Sequence, residues 1–296
     1  MQVFNFGSIN IDHVYRIPHL VKPGETLSSK SMSTVLGGKG ANQSVALARA
    51  GVRVCHIGRL AHADAWAVDL LRDAGIDVSN VQLVDGPSGH AIIQVDDVGE
   101  NSIILHGGAN TSFEAADFEQ LLNSANSGDW LLIQNECNGL ENIFAEAQKR
   151  QLRIAFNPAP MTELVARLPL NYCNVLIVNE TEAAALAQSE DVHSALDILA
   201  NKYPDTQVVL TLGAEGAMLA CRDQKLHQES LPVDVVDTTG AGDTFVGYFL
   251  AALLADLDQV TALRRACAAA ALSVTVPGAT PSIPAARSVD EFLAHA

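Results

Sequence analysis

Clustered positive charge is what this sequence most conspicuously lacks. Eighteen Lys and Arg stand against 34 Asp and Glu, a formal charge of −16, and no basic stretch is longer than Arg264-Arg265. Nucleic-acid binding through phosphate neutralisation depends on such clusters and is excluded. Any phosphate handled here must be held by backbone N–H groups, a metal, or a few placed cations. Cysteine is also scarce. The five, at 55, 137, 173, 221 and 267, are odd in number and contain no CxxC pair. That excludes a disulfide framework and a thiol-zinc site, and fits free thiols in a reducing cytoplasm. The longest apolar run, Phe245 to Ala255, is far shorter than the roughly 20 residues of a membrane span. The N-terminal MQVFNFGSIN has neither the positive start nor the apolar block of a signal peptide. The expectation is a cytoplasmic protein with no membrane and no nucleic-acid partner.

The familiar phosphate-binding motifs are missing too. No GxxxxGK[ST] occurs, because GGKGAN at 37–42 has Gly40 where Ser or Thr is required, and no GxGxxG works either, because GAGDTF ends in Phe245. P-loop and dinucleotide-binding readings therefore lose their support.

What is present is an apolar chain, 48% hydrophobic and only 5% aromatic, in which β-rich and helical segments alternate. Residues 3–9, 52–58, 129–136, 153–159, 174–180 and 207–213 read as strands, several of them continuous apolar runs suited to burial on both faces. Helical patterns at 41–51 and 62–75 each close on a glycine, and Thr111 and Glu114 have capping-box spacing. Two long helices are expected at about 243–256 and 259–274. The alternation predicts one α/β domain over 1–296, a doubly wound, mostly parallel sheet flanked by helices. Two β-segments, 12–35 and 89–106, break the pattern, the second around the hairpin turn VDDVGEN. They read equally well as an edge hairpin or as a small inserted sheet acting as a lid.

The stretch DTTGAGDTFVG, 237–247, carries the chemistry. Gly240 and Gly242 let the backbone approach a ligand, and the positive end of the following helix favours an anion. Asp243 lies in that first turn. It reads either as an N-cap or as a base that deprotonates a hydroxyl while adjacent N–H groups hold phosphate charge.

With GSINIDH at 7–13, PGET at 23–26, GGKGAN at 37–42, NPAP at 157–160, NETE at 179–182 and TLGAEG at 211–216, this stretch resembles the ribokinase-like (PfkB) carbohydrate kinase family over essentially the whole chain. The resemblance implies Asp243 as catalytic base and Gly240, Ala241 and Gly242 as the anion hole. It implies Asn10, Asp12, Gly38, Lys39, Asn42 and Glu136 as sugar ligands. Asn179, Thr211, Gly213 and Gly216 match nucleotide-binding positions, TLGAEG otherwise being a plain hairpin turn. Glu182 matches a residue that reaches Mg²⁺ through water. Asp237, Thr239, Ser273, Val276, Gly278 and Ser282 match a monovalent-cation site, K⁺ in this setting.

The implied reaction transfers phosphate from ATP to a primary hydroxyl, D-ribose being the first expectation. A nucleoside is the alternative, with Ile92, Ile93 and Val95 as an apolar wall, and a catalytically silent sugar binder is the third. The absence of Arg from the matched sugar motifs disfavours phosphorylated or acidic substrates. Cys137-Asn138 after the sugar-site Glu, Ile11 in GSINID and Cys267 in the last long helix depart from the family pattern and bear on substrate choice. Exposed lid strands suggest a homodimer.

Overall fold

The first strand, β1 (Val3–Phe6), sends Val3 into one apolar cluster and Phe4 and Phe6 into another. That period of two is what a strand covered on both faces requires. The structure is a computed structural model that describes residues 1–222 and 224–295. After β1 come β2 (Asn10–Arg16), β3 (Ser31–Gly37), α1 (Lys39–Arg49), β4 (Val54–Ala61), α2 (Trp66–Asp73) and β5 (Asp77–Val84). The middle of the chain supplies β6 (Gly89–Val95), β7 (Asn101–His106), α3 (Asp117–Leu121), β8 (Trp130–Gln134), α4 (Leu140–Lys149) and β9 (Arg153–Asn157). The remainder forms β10 (Cys173–Asn179), α5 (Glu180–Ala187), α6 (Val192–Lys202), β11 (Gln207–Thr211), β12 (Ala217–Cys221) and β13 (Gln224–Gln228). Three helices follow, α7 (Ala241–Leu254), α8 (Gln259–Ser273) and α9 (Ala286–His295).

Nine strands form the main sheet in the order β13-β12-β11-β10-β9-β8-β1-β4-β5. Pairing is parallel from β5 across to β11, and β12 then runs antiparallel to both β11 and β13 at that end of the sheet. Residues of α1, α2, α7, α8 and α9 pack in the cluster on one face, and α3 to α6 in the cluster on the other. The chain runs outward from β1 in both directions, so the carboxyl ends of β1 and β8 flank a topological switch point, where open α/β sheets bind their ligands.

The two β-segments join in a separate four-stranded sheet of order β3-β2-β6-β7. Neither is an edge hairpin of the main sheet. β5, β12 and β13 lie outside the segments the sequence marks as strands: β5 and β13 occupy sheet edges with weaker apolar patterns, while β12, buried on both faces, is only five residues long and rich in Ala, a poor strand former. The capping box at Thr111 and Glu114 does not form. Thr111 ends a short 3-10 turn and its hydroxyl donates to Gly108 O, while Asp117 accepts from the Glu114 N–H and pairs with Arg59. The buried guanidinium competes better for that acidic segment than a local cap does. The glycine stops after α1 and α2 do form: Gly51 and Gly75 have φ of 91° and 85°.

α1 and α7 cross at unusually close range. A Cβ on Gly247 of α7 would lie 2.4 Å from the Ala46 Cβ of α1. Neither partner has a flexible end to yield, so Gly247→Ala must push the helices apart. We expect it to cost about 1–3 kcal/mol in urea unfolding without a change in denaturant slope. A loss under about 0.5 kcal/mol would show that the crossing is not tightly constrained.

Candidate active site

Strand alternation carries a row of polar side chains onto the sheet face that α1 and α7 cover. Asn5 pairs across the ladder with His56, Gln134 with Asn157, and Asn179 with Thr211. Asn5, Gln134 and Asn157 meet α1 at Gly40, Gln43 and Ser44. The first turns of α1 and α7 converge above this row, beside a cleft of about 150 Å³ lined by Lys39, Asn157, Asn179, Glu182, Gly242 and Asp243 among others.

Asp243 lies in the first turn of α7 but is not its N-cap. Gly240 is, in the left-handed conformation at φ 77° that a side chain would resist. The Asp243 carboxylate, 8% exposed, instead accepts from Asn42 Nδ2 and Gln43 Nε2, each at 2.9 Å. The N-terminal N–H groups of such a turn have no intrahelical acceptor. Ala241 N–H is turned aside to Thr238 O at 3.2 Å, which narrows the expected anion hole to its neighbours. A Cβ at Gly242 would meet nothing within 4 Å, so its backbone is open to the cleft.

On the side toward the small sheet, Asn10 begins β2 and its Oδ1 accepts from the buried Asn110. Asp12 lies directly over Gly37, where a Cβ would collide with its carboxylate. Gly38 caps α1 at φ 93°, packed against Ser8 O and Asn10 N. Glu136 accepts from Lys39 N at 3.1 Å and from the Ser8 hydroxyl. Asn42 has both ends engaged, its Nδ2 on Asp243 and its Oδ1 accepting from the Thr280 hydroxyl. Its contacts tie the carboxylate of α7 to the segment at Thr280. Ser8, Gln43, Asn110, Gln134 and Thr280 were not singled out from the sequence. Gln43 and Ser8 sit inside the quoted GGKGAN and GSINIDH neighbourhoods, and that adjacency is the only signal that could have found them.

Asn179 caps α5 in a reciprocal box with Glu182: Glu182 N donates to Asn179 Oδ1 at 2.8 Å and Asn179 N donates to Glu182 Oε2 at 2.9 Å. Thr211 ends β11 at the cleft. Gly213 and Gly216 lie in the turn to β12 and do not line it. Farther along the loop, Asp237 accepts from Thr239 N and Oγ1 and from Gly278 N. Ser273 and Ser282 turn their hydroxyls onto Ala270 O and Ala279 O, and Val276 is exposed. On the small sheet, ladder register puts Ile93 and Val95 on the Asp12 face and Ile92 on the opposite one. The expected apolar wall therefore loses Ile92.

The carbohydrate-kinase pattern described as "pfkB family carbohydrate kinase" matches residues 2–286. The chain belongs to the pfkB carbohydrate kinase family. Among relatives of this kinase, a ribokinase of Haemophilus influenzae is 37% identical over 98% of the chain and 97% of its own length. The structure of Arabidopsis thaliana ribokinase complexed with ribose and ATP superposes with a TM-score of 0.88 at 31% identity, covering 99% and 98% of the two chains. A Burkholderia thailandensis nucleoside kinase solved with inosine has a TM-score of 0.84 at 21% identity over 100% of this chain and 97% of its own, a likeness of fold alone. Among the described residues, no helix is long and apolar enough to cross a membrane.

Charge in the kinase cleft is balanced unevenly. Burial works to lower the Lys39 pKa, but the Asp243, Glu136 and Glu182 carboxylates outweigh it and the net shift is upward. Burial raises Glu182, against its cap bonds and Lys39, and raises Glu136 against the same lysine. Burial, then the nearby Glu136 charge, pushes Asp12 up from 3.8 to about 6.

A raised carboxyl pKa means that the folded protein holds the Asp12 proton more tightly than the unfolded chain. The resulting stability is full below about pH 4 and is lost as pH rises through about 6. Asp12→Asn should therefore stabilise the fold near pH 8, by on the order of 3 kcal/mol at most, with the gain vanishing toward pH 4. Equal effects on urea unfolding at both pH values would refute this.

Proposed function

We propose that this protein is an ATP-dependent sugar kinase of the cytoplasm that converts D-ribose and ATP to ribose 5-phosphate and ADP. The observation that carries it is Asp243: a buried carboxylate held by two amides at the open end of α7, facing the cleft beside Gly242. A pure sugar binder would have no use for a carboxylate so placed. In the reaction Asp243 takes the proton of the sugar's primary hydroxyl. The N–H groups of the Gly240–Asp243 turn other than that of Ala241, with the Lys39 ammonium, stabilise the charge on the transferring phosphoryl group. Asn10, Asp12 and Glu136 hold the sugar hydroxyls, with Gly38 giving the backbone room to approach. Asn42 acts by orienting the base. Asn179 and Thr211 border the nucleotide, and Gly213 and Gly216 shape the turn beyond. The four-stranded sheet is the lid, excluding water from the transfer.

Two cations fit the donors present. Glu182 has both oxygens committed to the α5 cap, so it suits Mg²⁺ through bound water, and Mg²⁺ supplies neutralisation of phosphate charge. Asp237 is held below the usual carboxylate range: burial opposes this, but bonds from Thr239 and Gly278 outweigh it. With Thr239 and the main-chain oxygens of Ser273, Val276, Gly278 and Ser282 it suits K⁺, which orders the loop beside the anion hole. A nucleoside is the second reading, favoured by Ile93 and Val95 on the Asp12 face.

An ADP-release assay with D-ribose, 2-deoxy-D-ribose, D-fructose, inosine and adenosine, each with and without K⁺, tests the reading. Ribose should give the highest kcat/KM, with stimulation by K⁺ and a loss of about a thousandfold or more in kcat for Asp243→Asn. Preference for a nucleoside would promote the second reading, and undiminished turnover by Asp243→Asn would remove that residue from the mechanism.

The lid also supports a homodimer. Ile103, Ile104 and Leu105 of β7 are 55%, 61% and 49% exposed, on alternating faces of a sheet with nothing against its outer edge in one chain. Light scattering is expected to give twice the chain mass, falling to one with Ile103→Lys and Leu105→Lys together. A monomeric parent protein would end the proposal.

A further inference from the structure

Beneath Asp243 runs a buried chain of side-chain hydrogen bonds that the transfer reaction itself does not use. Gln43, fully buried, donates from Nε2 to Asp243 Oδ1 at 2.9 Å and to Asn157 Oδ1 at 3.0 Å. Its Oε1 accepts from Gln134 Nε2 at 2.7 Å, and the same nitrogen donates to Asn5 Oδ1 at 2.9 Å. Asn5 Nδ2 in turn donates to Gly40 O and Ser44 Oγ, both at 2.8 Å. Ser44 meets Nδ1 of His56, whose other nitrogen meets Gly7 O at 3.2 Å. Burial lowers the His56 pKa to about 4, so the ring is neutral and carries one N–H.

The direction of every bond follows from fixed ends. Gly7 O, Gly40 O and the Ile177 O that receives Asn157 Nδ2 are main-chain carbonyls, and can only accept. Gly40 O therefore makes Asn5 present its nitrogen there and its oxygen to Gln134. Gln134 must then present nitrogen to Asn5 and to Gln43. Gln43 must present oxygen to Gln134, and so nitrogen to Asp243. Ile177 O independently turns the Asn157 oxygen toward that same nitrogen. Turning Gln134 over would set its oxygen against two other oxygens. It keeps its orientation although its own Oε1 is buried without a hydrogen-bond partner. Gly7 leaves the space for it: a Cβ there would lie 2.3 Å from that oxygen.

We infer that Gln43 is a positioning residue for the base. It does not line the cleft, and it acts by offering Asp243 Oδ1 an N–H whose direction is dictated from two main-chain carbonyls. One side chain beyond it, Gln134 acts as the element that keeps Gln43 from turning over. The carboxylate is thereby held in one rotamer, with its remaining lone pairs directed at the cleft. This rests on the reading of Asp243 as the base.

Three variants separate the possibilities, with turnover normalised to folded protein and the sugar and a non-hydrolysable ATP analogue titrated by calorimetry. Gln43→Met keeps the volume and removes the donor. It should lower kcat about 10- to 100-fold, since a displaced base loses that much, while both dissociation constants stay within about twofold. Gln134→Glu touches neither Asp243 nor the cleft. Its carboxylate replaces the N–H that both Gln43 Oε1 and Asn5 Oδ1 accept, so the chain that fixes Gln43 is broken, and kcat should fall at least about tenfold with binding again retained. A packing role alone would lower thermal stability and leave that split between kcat and binding unmoved. Turnover of Gln43→Met within about threefold of the parent, or a loss accounted for by weaker binding, overturns the inference. Should Gln43→Met not fold, Gln134→Glu decides it by the same criteria. Asp243→Asn in the same assay tells the two failures apart. If it retains parental turnover, the base assignment falls. If it is inactive while Gln43→Met and Gln134→Glu are normal, only the positioning role falls.

Discussion

The close crossing of α1 and α7 is the constraint on which the rest of this site depends. Because Gly247 admits no side chain against Ala46, the first turns of the two helices meet within hydrogen-bonding range. Two positive helix ends then point at one place. Carboxylates collect there, Asp243 held by the amides of α1 and Glu136 by the Lys39 N–H, and the field that would repel a phosphate is partly spent on them. The same geometry leaves the open first turn of α7 facing the cleft. A few tenths of an ångström in the crossing would be felt by Asp243, Glu136 and the open turn of α7 together.

An acidic chain that binds a polyanionic nucleotide must concentrate what positive potential it has. The structure does this with one ammonium and one helix end, not with a basic patch. Lys39 is surrounded by three carboxylates and keeps its proton against burial. Burial, with the Glu136 charge beside it, makes an ionised Asp12 costly near neutral pH. On the proposed reading, sugar hydroxyls donating to this carboxylate would offset that cost.

Much of this was legible in the sequence. Continuous apolar runs located the central strands because both faces of those strands are covered, and the glycine stops after α1 and α2 formed where a left-handed residue was needed. The glycine-rich turn at 240–242 and Asp243 could be read from residue type alone. Edge strands β5 and β13 were hidden because half-covered strands lose the apolar run, and β12 because it is short and rich in Ala. The cap at Thr111 failed because a distant guanidinium, Arg59, holds the acidic segment elsewhere. The amide chain was invisible for a different reason: Asn5, Gln43, Gln134 and Asn157 are unremarkable singly and acquire direction only when strand register stacks them. Asn42 illustrates the limit, since its motif suggested the sugar while its contacts lead to Asp243 and Thr280.

The rung that roots the small sheet has a consequence for how such an enzyme can change. Asn10 is flanked there by Gly37 and Gly89, and a Cβ on either would strike Asp12, Asn10 or Asn110. This rung borders the proposed sugar side and is also where the small sheet leaves the body of the molecule. Any bulk added there would at once displace the residues that seat the small sheet. What meets the Asn10 side chain and how the small sheet is seated are therefore tied to the same few atoms, and a change in one must drag the other with it.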